Sequence, residues 1–435
     1  MKKTALLVTI FTVALTGLNY SAKAQNIMTD SISKKLNKIQ SDIDLLKRVQ
    51  ISGYLQSQFQ AVSSRGAASF EGGNFSANTD KRFMLRRTRV KIAYTTELTQ
   101  FVFQIDGTEK GIAIKDMFLK ITEPRLKAFS LTAGCMNRPF GYEIPYSSSM
   151  RESPERGRMS QIVMPGERDL GLMITFQMPK TSPLNFLKIE GGMFNGTGSG
   201  AVDFDYKKDF IGNVGINKKT KNEKINYAIR TSYYNGGFRQ GTSKVFSIAK
   251  DSLGLNAFSQ NNDTINFGAI GKRQYSGLDA QVNIAWPIGL TTIRAEYIQG
   301  KQPGTSSTNI SPAAQPTGDT YKRNFNGAYF YFLQNIGQSK HQLVIKYDWY
   351  DPNTNVKGNE IGSKVNGPSG KTFVATGASD IKYSNVGIGW IYHWDTNVKI
   401  TAYYNTVTNE TSKSLVNWGK DLKDNVFTLR FQYKF

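Results

Sequence analysis

A run of basic side chains between Lys81 and Ile92 offers the clearest chemistry in the sequence. It contains six lysines and arginines and no acid. In a β-strand, Arg87, Arg89 and Lys91 share one face at a spacing of ~6.6–6.8 Å. Cations at that spacing repel one another unless anions are present, and each guanidinium can offer an oxyanion two parallel hydrogen bonds. The run therefore predicts a column along which small oxyanions could bind in succession.

Composition excludes several other kinds of chemistry. The 435 residues include 55 Lys+Arg and 33 Asp+Glu, a formal net charge of +22, with two His and one Cys. The single cysteine, Cys135, excludes an intramolecular disulfide framework and a zinc ribbon. Two histidines leave little room for a metalloenzyme or a His-based relay, so we expect no enzyme, metal or cofactor. The positive charge could suggest nucleic acid, but no recognition module is visible.

Residues 1–24 have the pattern of a signal peptide. Lys2 and Lys3 precede an apolar run from Ala5 to Leu18, and Ala22-Lys23-Ala24 forms a small-x-small cleavage site. The alternative is an uncleaved anchor helix, but the run is shorter than the ~20 residues that a membrane-spanning helix needs. We therefore expect a mature chain that begins at Gln25 and leaves the cytoplasm.

Residues 25–50 are predicted to form a separate helical segment. Ile32, Leu36, Ile39, Ile43 and Leu46 are spaced 4, 3, 4 and 3 residues apart, which is a heptad seam. A helix this short is marginally stable alone and needs a partner. We predict a short periplasmic coiled coil that joins the subunits of a homo-trimer. The alternative is an amphipathic helix that packs against its own chain.

Residues 51–435 show a period of two and almost no helical periodicity. Segments of about ten residues with alternating apolar and polar positions suit a transmembrane β-barrel. Eight rising strands are predicted at 51–60, 98–106, 127–137, 186–195, 224–234, 290–299, 341–350 and 397–408. Eight descending strands are predicted at 83–94, 112–121, 168–178, 209–219, 273–286, 323–333, 381–394 and 425–435.

The connections between these segments are asymmetric. Tight turns follow the descending strands, whereas long Gly-, Ser- and Asn-rich stretches follow most rising strands, at 61–81, 138–167, 235–271, 300–322 and 351–380. Short periplasmic turns and long external loops are typical of bacterial outer-membrane barrels. The last strand alternates apolar with polar residues and ends on Phe435, which resembles the C-terminal assembly signal of such proteins. The sequence therefore predicts an all-β, 16-stranded antiparallel barrel in the outer membrane of a Gram-negative bacterium, surrounded by its lipid.

Strand parity indicates which side chains face the lumen. Besides the column on strand 83–94, it places these basic residues inside: Lys120, Arg230, Arg294, Lys346, Lys399 and Arg430. It also places Asp116, Asp348 and Glu296 inside, so the lumen is not uniformly positive. The alternative to an anion path is a set of structural ion pairs, or basic residues that bind anionic lipid heads at the rim, as for Arg82 and Arg86.

Several stretches resemble the phosphate-selective porins O and P, a family of trimeric anion channels. The matching stretches are Leu85-Arg86-Arg87-Thr88-Arg89-Val90, Ile114-Lys115-Asp116-Met117-Phe118-Leu119, Gly134 to Gly141, Glu155-Arg156, Pro165 to Gly171 and Lys346 to Pro352. The resemblance implies that loop 138–167 folds inward and narrows the pore. It nominates as constriction residues Arg138, Arg151, Arg156, Arg158 and Arg168. Residues 138–168 also hold four glutamates, so this region has a net charge of only +1.

Three functions follow as hypotheses. The first is a passive water-filled channel for small anions, with inorganic phosphate or polyphosphate foremost. The second is a general or oligosaccharide porin, in which aromatic residues such as Tyr350 and Tyr403 form a sliding surface. The third is an outer-membrane hydrolase, which would need His341 or His393 in a relay but has no Gly-x-Ser-x-Gly elbow.

Overall fold

The computed structural model describes residues 32–435, so the predicted signal peptide and the start of the 25–50 segment lie outside the described residues. Helix α1, residues 32–48, leads directly into the first strand, and every one of its residues is exposed. The heptad residues Ile32, Leu36, Ile39, Ile43 and Leu46 are 40–71% exposed. The coiled coil therefore remains a prediction.

Sixteen antiparallel strands of the described residues form one closed barrel. With all strands numbered β1 to β19 in chain order, the barrel strands are β1 (Val49–Val62), β2 (Lys81–Thr95), β3 (Thr99–Thr108), β4 (Gly111–Thr122), β5 (Phe129–Asn137), β6 (Arg168–Gln177), β7 (Leu187–Phe194), β8 (Asp209–Lys219), β9 (Ile225–Arg239), β12 (Ile270–Trp286), β13 (Gly289–Gly304), β14 (Thr320–Asn335), β15 (His341–Asp351), β17 (Tyr383–His393), β18 (Val398–Asn409) and β19 (Val426–Lys434).

The remaining elements belong to the external loops. They are the strands β10 (Lys244–Lys250), β11 (Asn256–Asn262) and β16 (Phe373–Val374), the short helix α2 (Arg158–Val163), and three 3₁₀ turns at Thr264–Asn266, Gly358–Glu360 and Ala378–Asp380. Within 32–435, no helix is both long and apolar enough to cross a membrane.

The first and last strands close the barrel. β1 pairs with β19 from Tyr54 opposite Lys434 to Val62 opposite Val426. The terminal Phe435 also exchanges two backbone hydrogen bonds of 3.0 Å with Gly53. Closure leaves no strand edge unpaired, which a β-structure needs in lipid. The predicted sixteen-stranded antiparallel barrel is confirmed.

The outer face of the barrel is apolar because alternate residues of each strand point outward. On β17, Val386, Ile388 and Trp390 are 43–57% exposed, whereas Ile391 is fully buried. Trp286 and Trp394, near periplasmic turns, are also exposed, as an interfacial aromatic girdle requires. This pattern gives the barrel a lipid-facing belt.

The third external loop, residues 138–167 and hereafter L3, folds into the lumen. Phe140 is fully buried at its start, where the ring centroid lies 6.4 Å from that of Tyr275 on β12. Apolar side chains of L3 and of the wall form one cluster: Met136, Phe140, Ile144, Met159, Ile162, Val163, Met164, Phe194, Ile211, Tyr234, Tyr275, Ile298, Phe325 and Tyr350. The loop therefore packs against the wall by hydrophobic contact.

Candidate functional site

L3 crosses the lumen of the barrel and is fixed to several strands by polar contacts. The hydroxyl of Tyr54 on β1 lies 2.5 Å from that of Ser148. The hydroxyls of Ser153 and of Tyr331 on β14 are 2.6 Å apart. Lys399 on β18 donates to two L3 carbonyl oxygens at 3.0 and 3.1 Å. Because these contacts come from separate parts of the wall, the loop constricts the lumen.

A cavity of about 310 Å³, hereafter the upper cavity, lies between L3 and the strands β2, β3 and β4. Six basic side chains line it: Arg86, Arg87, Arg89, Lys115, Arg151 and Arg156. Three acidic side chains also line it: Asp106, Glu155 and Glu167. The cavity wall therefore carries an excess of three positive charges.

Two β-bulges bring more charge into the upper cavity than simple alternation allows. On β2, Arg87 pairs with Gln56 while Leu85 pairs with Ser57, so Arg86 is an extra residue. Both arginines then point inward. A second irregularity lies between β3 and β4 at residues 103–105. At this irregularity, the neighbouring residues Lys115 and Asp116 both face inward. Lys115 lines the upper cavity, and Asp116 accepts a hydrogen bond from Arg168.

Glu155 of L3 is the centre of the basic cluster. Arg86, Arg87 and Arg430 each approach its carboxylate at 2.7–2.8 Å, and Arg151 lies 4.0 Å away. Burial alone would raise the pKa of Glu155, but these guanidinium groups outweigh burial and hold the pKa well below its usual range. Glu155 is thus a fixed anion surrounded by four cations.

Arg151 of L3 is a buried basic residue whose guanidinium makes no hydrogen bond among residues 32–435. Burial, together with the nearby charge of Arg87, lowers the pKa of Arg151. Buried donors of this kind are costly unless something accepts their hydrogen bonds. Its guanidinium therefore has the capacity to bind an anion in the upper cavity.

Other predicted basic residues are paired with acids. Arg89 binds Asp106 at 2.9 Å. Arg156 contacts Glu167, and Arg168 binds both Glu167 and Asp116 at 2.8–2.9 Å. Arg138 binds Asp169 at 3.0 Å. These ion pairs hold the guanidinium groups in place and also reduce the net charge that they present.

A larger cavity of about 780 Å³, hereafter the lower cavity, lies below L3 toward the periplasmic turns. Among the described residues, its basic lining residues are Lys120, Lys127, Arg138, Lys180, Lys188 and Arg230, and its one acidic lining residue is Glu190. The excess is therefore five positive charges. Lys115 and Lys120 lie on the same strand, β4, so the two cavities follow each other along one side of the lumen.

The nine predicted site residues are therefore distributed over several places. Arg87, Arg89, Arg151 and Arg156 line the upper cavity, and Lys120 and Arg138 line the lower one. Arg168 lines neither cavity and is paired with Asp116 and Glu167. Lys91 is half-buried on β2 and lines neither cavity. Arg158 lies apart, with its guanidinium carbon 3.4 Å from the ring centre of Tyr383 and 4.5 Å from that of Phe70.

Sequence reasoning missed part of the site. It did not nominate Lys115 or Glu155, and it placed Arg86 near the rim. It also named Tyr350 and Tyr403 as a sliding surface, but both rings are 2% exposed and belong to apolar clusters. Tyr350 packs in the cluster that includes apolar side chains of L3, and Tyr403 packs with Tyr329 and Tyr331 of β14. These two tyrosines therefore do not line an open path.

The histidines lie away from both cavities. His341 stacks against Trp390 at 5.6 Å between ring centroids, on the outer face of the barrel. His393 is exposed near a periplasmic turn. Across residues 32–435, there is no group of three or more His, Cys, Asp or Glu side chains arranged to hold a metal ion.

Comparison with known proteins supports the fold. No protein-family model matches the sequence, and no curated protein matches it. The outer membrane channel DcaP of Acinetobacter baumannii is 11% identical with a TM-score of 0.51; the match covers 89% of this chain and 97% of that chain. OmpF of Salmonella typhi, solved in complex with daunomycin, is 10% identical with a TM-score of 0.50 and the same coverage.

The similarity shows a porin-like barrel fold shared with outer-membrane proteins. Together with the closed barrel and its lipid-facing belt, it places the chain in the outer membrane of a Gram-negative bacterium.

Proposed function

We propose that the chain is a passive diffusion channel for small anions, with inorganic phosphate or polyphosphate foremost. The observation that carries this proposal is the excess of positive charge in both cavities, three charges in the upper and five in the lower. A wall of one sign raises the local concentration of ions of the opposite sign. Both cavities lie along one side of the lumen, beside L3, which narrows it.

The arrangement could move an oxyanion without trapping it. Arg151 offers free donors in the upper cavity, and Lys120 and Arg230 offer charge further down. Conduction requires that each site bind the ion strongly enough to admit it and weakly enough to release it. Glu155 and Glu167 limit the depth of each site because they compete with the passing anion for the same guanidinium groups. Their presence favours transit over permanent binding.

The choice of phosphate rests on the resemblance to the phosphate-selective porins O and P. The stretch Leu85 to Val90 contributes Arg86, Arg87 and Arg89 to the upper cavity, and Ile114 to Leu119 contributes Lys115. A phosphate has three or more acceptor oxygens, so it can engage several guanidinium groups at once. Membership of that family is part of this proposal.

A general porin is the second candidate, and the ion pairs favour it. Arg87 and Arg89 are each paired with an acid at 2.7–2.9 Å, which weakens their attraction for other anions. The charge-reversal variants Arg87→Glu and Arg89→Glu separate the two functions. Uptake of neutral sugars should survive both changes in a general porin, whereas an anion channel should lose anion uptake.

We also propose that the chain forms a homo-trimer through α1. The five heptad residues of the helix are exposed, and three copies could bury them in one coiled coil. The variant Leu36→Asp with Ile39→Asp should reduce the mass of the purified particle from three chains to one. The control Lys34→Asp with Lys38→Asp changes charges outside the heptad positions. An unchanged mass in the first variant would contradict the role of α1.

Single-channel recordings test the proposed function. The purified protein is inserted into a planar lipid bilayer in KCl, and inorganic phosphate is then added to one side. We expect phosphate to reduce the chloride current in a concentration-dependent manner, because it would occupy the same basic side chains. Conductance that is insensitive to phosphate, together with permeation of neutral sugars, would favour the general porin.

A further inference from the structure

Three lysines form a basic patch on the outside of the barrel, at the extracellular ends of β12, β13 and β14. These residues, Lys272, Lys301 and Lys322, are exposed. The residue that follows each of them is buried at 1–2% exposure: Arg273, Gln302 and Arg323. Because side chains alternate along a strand, the three lysines point away from the lumen. They are called the outer basic patch below.

The strand register places the three lysines close together. Gln274 pairs with Lys301, and Pro303 pairs with Lys322. Neighbouring strands lie ~4.8 Å apart, and alternate residues of one strand lie ~6.7 Å apart. The three Cα atoms are therefore about 8–10 Å from one another. Lysine side chains are long enough to converge on one anionic group from these positions.

The outer basic patch lies in a concave region without acidic residues. Two adjoining cavities of about 510 and 460 Å³ cover it, and Gln274, Lys301 and Asn324 line both. No aspartate or glutamate among the described residues lines either cavity. Nor does any of the three ammonium groups have an ion-pair or hydrogen-bond partner within 32–435. The patch therefore carries three uncompensated positive charges.

The height of the patch corresponds to the polar head-group layer of the membrane. On β13, the outward-facing Tyr297 is 37% exposed and lies four residues before Lys301, on the side of the lipid-facing belt. Four residues extend ~13 Å along a strand, or roughly 10 Å along the membrane normal at the usual tilt. Tyrosine rings typically lie at the membrane interface. The lysines then lie among the head groups.

We infer that the outer basic patch binds the phosphate groups of lipid in the outer leaflet. The ligand class is a lipid with a phosphomonoester head group, held by the three ammonium groups and by the uncharged polar side chains Gln274, Gln299 and Asn324. This site is on the outside of the barrel, so it is separate from the anion path in the lumen. Each basic side chain near an anionic membrane surface contributes favourably to binding of the anionic lipid. The contributions of three lysines together are sufficient to hold such a lipid selectively.

Native mass spectrometry of the full chain tests this inference. The protein, purified in detergent, is titrated with bisphosphorylated lipid A and, separately, with the same lipid after removal of its phosphates. We expect binding of the first lipid only. The triple variant Lys272→Gln, Lys301→Gln, Lys322→Gln should bind it roughly 100-fold more weakly. A matched control, Lys219→Gln, Lys221→Gln, Lys224→Gln, removes three exposed lysines from the periplasmic end and should bind it as the wild type does.

Several results would overturn the inference. Equal binding of the two lipids would show that the phosphates are not recognised, and equal loss in both triple variants would show a non-specific effect of charge. A change of particle mass in the patch variant alone would indicate that a second copy of the chain occupies the surface. Ion conductance should be the same in the patch variant and the wild type. This readout separates failure of the lipid site from failure of the proposed channel.

Discussion

The side chain of Arg151 provides a sharp test of anion binding in the upper cavity. Its guanidinium is buried and has no hydrogen-bond partner within residues 32–435, and the nearest carboxylate, that of Glu155, is 4.0 Å away. Replacement by Gln removes the charge and most donors but keeps a polar side chain of moderate size. We expect little loss of folding stability, because few favourable contacts disappear and the repulsion from Arg87 is relieved.

The expected loss of anion affinity is much larger. A hydrogen bond to a charged group contributes about 1.5–3 kcal/mol. At an effective dielectric constant of 20, a unit charge 5 Å from the bound anion contributes about 3 kcal/mol, in the same range. Arg151→Gln should therefore raise the phosphate concentration that blocks half of the chloride current by roughly 10- to 150-fold.

The assay is a phosphate titration of single-channel current in a planar bilayer at fixed KCl concentration. Arg158→Gln is the matched control, since it removes the same charge from L3 at a position that packs on Phe70 and Tyr383 outside both cavities. The control should change the blocking concentration by less than a factor of about 3, because it contacts no bound anion. Equal effects of the two variants, or no effect of Arg151→Gln, would refute the assigned anion site.

Three further predictions concern the lumen. Glu155→Gln removes the acid that neutralises Arg86, Arg87 and Arg430, so phosphate should block at a concentration lower by ~10-fold or more; weaker block would contradict this. Burial raises the pKa of Glu71 from 4.5 to about 7, although the positive charge of Lys346 lowers this pKa in part. As pH rises, Glu71 loses its proton at a lower pH in the unfolded chain than in the folded one. The free energy of unfolding should therefore fall between about pH 4.5 and 7, by about 3 kcal/mol at most. Glu71→Gln should remove that dependence in urea unfolding of the barrel, and an unchanged profile would refute it. Phe140→Ala should loosen L3 by about 3–5 kcal/mol and increase single-channel conductance and its fluctuations; an unchanged current would show that L3 is held by other contacts.

The strands could be predicted from sequence because one physical constraint acts on all of them. A barrel wall between lipid and water forces apolar and polar residues to alternate, and this signal persists from Val49 to Lys434. Each of the sixteen predicted strands overlaps an observed one. The external hairpin of β10 and β11 lies in a stretch that the sequence predicts only as a loop, since it extends beyond the membrane and is not subject to the same alternation.

The composition of the site could be predicted only in part. Alternation correctly places Arg87 and Arg89 inside, but it cannot show that a bulge turns Arg86 inward as well. A second irregularity brings Lys115 into the upper cavity. Each bulge is a property of the pairing between two strands, which the alternation along one strand does not specify.

The ion pairs of the site were also beyond sequence reasoning. The carboxylate of Glu155 accepts hydrogen bonds from Arg86 and Arg430, which are separated from it by 69 and 275 residues in the sequence. Such contacts depend on the path of L3 through the lumen. The same path explains why Tyr350 is buried: it packs in the cluster that holds L3 against the wall.

The most direct test of the account is the zero-current potential of the unmodified channel in a KCl gradient across a planar bilayer. The positive excess in both cavities predicts that chloride carries most of the current, so the potential should have the sign of an anion-selective pore. High salt should reduce this preference because it screens the lining charges. A potential of the opposite sign, or one near zero at low salt, would contradict the proposed anion path.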